Sequence, residues 1–95
     1  MAVRMERVNK PLVAAFAETL RARRRAAGLS QEELAARSDL SVRHVSYLET
    51  GDRQPSLTVL LAVSEGLEIG PAELVEDVVR AYRSELRRPE SKGSR

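Results

Sequence analysis

The residues of this chain with chemistry to offer lie close together. In SVRHVSYLETG, Ser41 to Gly51, Val45 and Leu48 form an apolar edge with a spacing of three. Val42, Arg43, His44, Ser46 and Tyr47 then face outward, free to touch something else. His44 is the only histidine and cysteine is absent, so neither a zinc site nor a disulfide framework has its ligands. As a general base His44 lacks a nucleophile beside it in a pocket-forming fold. No paired carboxylates, nucleophile elbow or phosphate loop is legible elsewhere. The chain therefore reads as a non-enzyme with no cofactor, no metal and no evident small-molecule ligand. Charge is unevenly spread: Arg21, Arg23, Arg24 and Arg25 precede this stretch, whereas Glu65, Glu68, Glu73, Glu76 and Asp77 follow it.

Two short helices must position those outward side chains. Ser30 can cap the first, and Glu33 three residues on can reach back to the Ser30 N–H, a capping box. Gln31 to Arg37 is good helix-forming sequence with Leu34 and Ala35 on one side. Ser38-Asp39-Leu40 breaks it, with Asp39 able to adopt the left-handed conformation of a sharp corner. Ser41 is the second N-cap and Gly51 the left-handed stop. Helices this short are not stable alone, so flanking helices must hold them.

The flanks supply them. Pro11 opens a first helix whose Val13, Phe16, Ala17, Leu20, Arg24 and Ala27 recur every three or four residues up to Gly28. Asp52 to Pro55 is a loop, and Ser56 caps a fourth helix in which Leu57, Leu60, Leu61, Val63 and Leu67 are expected to supply core contacts. Small Ser64 and Gly66 there allow close helix approach. Gly70 and Pro71 open a fifth helix reaching about Arg88, ahead of Pro89. Residues 1–10 are expected to form a loose arm and 89–95 a disordered tail, leaving 11–88 as one domain. No alternating strand pattern appears, so the fold is predicted all-α.

A chain of 95 residues with 42% hydrophobic content builds one small, marginal core, for which a second copy is a natural source of stability. Net charge is only +2 although the pI is about 9.5, so bulk charge says little about a polyanionic partner. No signal peptide or apolar run of transmembrane length is present, which favours the cytoplasm over a membrane.

Taken in order, GLSQEELA, the apolar Val45 and Leu48, LETG closing the second helix and the loop RQPS before a leucine-rich helix resemble the helix-turn-helix of the phage-repressor-like (XRE) regulators. The resemblance runs from about Phe16 to Leu74 and implies a compact five-helix, lambda-repressor-like DNA-binding domain, with helices 2 and 3 forming the motif. By that likeness the helix Ser41 to Thr50 lies in the major groove of double-stranded DNA. Val42, Arg43, His44 and Tyr47 would read bases: Arg43 by forking onto guanine O6 and N7, Val42 through a thymine methyl, Tyr47 by donation or stacking. Gln31, Arg37, Ser46, Arg53 and Gln54 would meet phosphates, Gln31 at a helix N-terminus and also as a brace for the groove helix. Any pH dependence of binding near neutrality would trace to His44. Glu49 is expected to pair with Arg24, fixing the angle between helices.

The sequence departs from the family at several places. Val42 stands where many members are polar, Arg23 where an apolar residue is common, and Glu68 where a helix commonly stops on glycine, which suggests a strained corner. Arg21 to Arg25 read as exposed faces of one helix with Arg24 turned inward, or as phosphate neighbours with Arg21 the nearest; the first reading is preferred. On the fifth helix Leu74 and Val78 belong to the core. Val75, Val79, Tyr82 and Leu86 form a stripe extending past it, expected to be the interface of a symmetric homodimer presenting two groove helices roughly 34 Å apart to a palindromic operator. The alternative is a helix-turn-helix interaction module, antitoxin-like or sigma-factor-binding, whose partner would be a toxin or an RNA polymerase subunit.

Overall fold

A short polar side chain opens four of the five helices in the computed structural model, which describes residues 8–87. Asn9 accepts from the Leu12 N–H, Ser30 from Glu33, Ser41 from His44 and Ser56 from Val59. Each satisfies one of the donors that a helix start leaves without an internal partner. The resulting helices are α1 (Lys10–Ala26), α2 (Gln31–Ser38), α3 (Val42–Thr50), α4 (Leu57–Gly66) and α5 (Pro71–Arg87), with no strand among the described residues. Asn9 and Lys10, expected in a loose arm, are instead the cap and first residue of α1. Residues 1–7 of that arm, the end of α5 at Arg88 and the tail lie outside the described residues.

The corners are sharp because the chain enters the left-handed region there. Gly51 does so at φ 83°, where the lack of a Cβ makes it inexpensive. Asp39 (φ 58°) and Glu68 (φ 60°) do so with side chains, so the strain expected after α4 is present at Glu68.

α1 runs against both α3 and α5, while α2 sits between α3 and α4. Phe16, Leu20, Leu34, Val45, Leu48, Val63 and Leu74 meet in one core. Two expectations change at its edges. Leu57 and Leu61 are 73% and 47% exposed, so of the core residues expected there only Val63 and the C-cap Leu67 are buried, with Leu60 partly covered. Tyr82, expected on the outer stripe of α5, is buried in its own protomer, where its hydroxyl accepts from Asn9 Nδ2 at 3.1 Å. A tyrosine ring can be buried when its polar end finds such a partner. Arg23 also joins α1 to α5, donating to Asp77 at 2.6 Å and Glu73 at 2.9 Å. That contact holds the Asp77 carboxyl below the usual range.

No described helix is long and apolar enough to cross a membrane. α2 and α4 touch where Gly66 faces Leu34 and the buried Ser38 hydroxyl, which has no hydrogen-bond partner among the described residues. A Cβ on Gly66 would run into that hydroxyl and stand 3.1 Å from Leu34 Cδ1. Gly66→Ala should therefore destabilise the domain by about 1–3 kcal/mol, the usual range for overpacking, despite alanine's better helix propensity. Urea unfolding measures it, and an unchanged or raised midpoint would contradict this packing.

Candidate nucleic-acid interface

The α2–α3 pair is built locally from its caps. Glu33 N–H donates to Ser30 Oγ at 3.0 Å and Ser30 N–H returns to Glu33 Oε1 at 2.8 Å. The Ser30 backbone and hydroxyl bonds hold the Glu33 carboxyl below its ordinary value. Leu40, just past the Asp39 corner, packs on the core and pins the turn. α3 then buries Val45, Leu48 and Glu49. What remains outside is the face expected at DNA: Val42 is 39% exposed, Arg43 and Tyr47 lie open, and His44 and Ser46 are half-buried. Ser41, Arg43, His44, Tyr47 and Arg53 border one shallow depression. The Arg53 guanidinium sits 5.9 Å from the centroid of the Tyr47 ring, a cation–π distance. The backbone N–H groups of Asp52 and Arg53 both donate to the Tyr47 carbonyl, at 3.0 and 3.3 Å, so the turn after α3 holds that pair in place.

The far end of α3 is held from beneath. Arg24 grips Glu49 with two bonds, Nε to Oε2 at 2.6 Å and Nη2 to Oε1 at 3.0 Å, as expected for this pair. Its remaining Nη1 donates to the Leu29 carbonyl at 2.8 Å. Gln31 Nε2 adds a bond to Glu49 Oε1 at 3.0 Å, placing Gln31 in the bracing position. Arg21, read from sequence as an exposed charge or a phosphate neighbour, donates to the Glu49 carbonyl at 2.7 Å, at the end of α3. Burial pushes the Glu49 carboxyl upward, but the hydrogen bonds from Arg24 and Gln31 outweigh it and leave the group below its ordinary value.

The remaining candidates are more scattered. Arg37 is exposed and lies 3.7 Å from Glu68, a loose surface pair. Gln54 is exposed beside Arg53, at the edge of an apolar cleft lined by Phe16, Pro55, Leu60 and Val78. Arg21 as a support for α3 was missed by sequence reasoning, and only its spacing of three from Arg24 on the same helix face hinted at it.

The helix-turn-helix family profile matches residues 20–74, which spans all of α2, α3 and α4. This chain belongs to that family. The regulator is 42% identical over 52 residues to the uncharacterized HTH-type transcriptional regulator y4dJ of Sinorhizobium fredii, covering 55% of this chain and 68% of the relative. The restriction-modification controller protein C.AhdI from Aeromonas hydrophila superposes with a TM-score of 0.63 at 42% identity, covering 65% of this chain and 94% of that one. The clp gene regulator ClgR from C. glutamicum gives a TM-score of 0.69 at 28% identity, over 74% and 91%. The family is one of DNA-binding transcription regulators, which are not enzymes, and the all-α architecture is common to these neighbours.

Glu49 supplies a test of how the regulator holds α3. Removing it leaves Arg24 largely buried without a counter-charge, which typically costs 3 kcal/mol or more. Glu49→Ala should lower the melting temperature and weaken DNA binding together. Its folded pKa is depressed, so its stabilising contribution is complete above the unfolded carboxylate value of about 4.3 and is lost as pH falls through the folded value. Melting curves of the wild type and the variant should therefore converge in acid. Weakened binding with unchanged melting would mean that Glu49 touches DNA instead.

Proposed function

We propose that this regulator binds a palindromic operator as a homodimer, with the groove helix capped by Ser41 reading bases in each half-site. The observation that carries this reading is the asymmetry of α3. Its C-terminal half is clamped by Arg24, Gln31 and Arg21, while Val42, Arg43 and Tyr47 face outward with no ion pair to satisfy them among the described residues. A fixed helix with a free front is what base readout in the major groove requires. Arg43 forks onto guanine, Val42 packs on a thymine methyl, and His44 and Tyr47 lie at the edge of the same face. Arg53, Gln54 and Ser46 border it and meet phosphates, with Arg37 further along.

Gln31 serves the readout through Glu49, while its place at the start of α2 keeps it beside the phosphate that a helix N-terminus favours. Val75, Val79 and Leu86 remain on the outer face of α5 for a second copy, without Tyr82. The likeness to the controller protein C.AhdI supports placing this chain among small regulators of that type, acting in the cytoplasm where their DNA is.

Selection of binding sites from random duplexes, followed by salt titration on the winner, tests the reading. A two-fold symmetric site and a steep negative slope of log affinity against log salt are expected. Arg43→Ala should cost about 1–3 kcal/mol and relax preference at one base in each half-site, whereas Arg53→Ala should weaken all sequences alike. An unsymmetric winner with salt-insensitive affinity would overturn the proposal in favour of a protein-binding role.

A further inference from the structure

α5 carries a pattern that the domain core does not use. With Tyr82 turned inward, its outward seam consists of exposed Val75 and Leu86 with half-buried Val79 between them, spaced four and seven residues apart. Glu76, Val79, Arg83 and Arg87 border one shallow furrow along the same side of the helix. Glu76 and Arg83 stand seven residues apart, two turns or roughly 10.5 Å, on one flank of the seam. Neither takes part in an ion pair among the described residues, although their neighbours do. Arg80 is held by Asp77 at 2.9 Å, and Arg23 engages Glu73 and Asp77.

We propose that α5 lies antiparallel against α5 of a second copy, with the Glu76 of each chain set against the partner's Arg83. This rests on the dimeric reading above and specifies its contact. A two-fold axis crossing between Val79 and Arg80 falls midway between positions 76 and 83. It brings Val79 within one residue's rise of its twin and Leu86 within one residue's rise of the partner's Ala72 at each end, and forms the ion pair twice. Such an isologous contact closes at two chains. A parallel pairing would keep Glu76 and the partner's Arg83 two turns, roughly 10.5 Å, apart along the seam and on opposite sides of it, so neither ion pair would form. The valine and leucine seam supplies the attraction, and the rim charges choose the direction, since exposed pairs add little strength of their own.

Sedimentation equilibrium on the full chain, with thermal melts as a check on folding, tests the pairing by charge exchange. Arg83→Glu and Glu76→Arg should each raise the dimer dissociation constant about tenfold or more, because two attractions become two repulsions. The double variant should return to within about threefold of wild type. Mixing the two single variants should also restore dimers, since every pair across the axis is then opposite in sign. Single variants that dimerise like wild type, or a double variant as weak as the singles, would overturn the antiparallel register alone. A wild-type chain that stays monomeric at tens of micromolar would overturn the dimeric reading itself.

Discussion

The grip of Arg24 on Glu49 is the contact on which the placement of everything else depends. Three helices meet there: α1 brings the guanidinium, α3 the carboxylate and α2 the Gln31 amide. Bringing both charges out of water is expensive, and their attraction offsets the loss only because two parallel bonds and further donors complete the set. The return is orientation. α3 has nine residues and no stability of its own. Its direction relative to α1 is fixed by apolar packing around Val45 and Leu48 and by this polar lock at its end. A displacement there would be carried along the helix to its open front at Val42 and Arg43.

Local signals in the sequence specified the scaffold well. Serine caps, the Ser30–Glu33 box, the Asp39 corner and the Gly51 stop are each decided by a few neighbouring residues, so a single chain is enough to read them. The half of α3 that remains open was also legible, because Val45 and Leu48 leave only one orientation for a helix that short. Gln31 was harder, because one amide can answer a phosphate or a carboxylate and only the position of Glu49 decides between them.

The boundary of the core was much less legible. α5 carries an apolar stripe broader than one neighbour can cover, and its period does not say which edge faces inward. Tyr82 goes inside because Asn9, 73 residues away, meets its hydroxyl, a partnership that no local pattern announces. α4 is apolar nearly all round, so Leu57 and Leu61 could not be separated from Val63 and Leu67 by spacing. Arg23 lacks the apolar side chain that its place suggests, yet it still ties α1 to α5 through charge.

The close packing of α1 on α5 has a consequence for how the polypeptide is made. Of the five helices, the one made first has its most extensive neighbour in the one made fifth, so the part of the inner face of α1 that α3 does not cover stays open until α5 has been synthesised. This domain therefore cannot complete its core before α5 has emerged, and a nascent chain interrupted earlier offers chaperones and proteases an unshielded apolar surface.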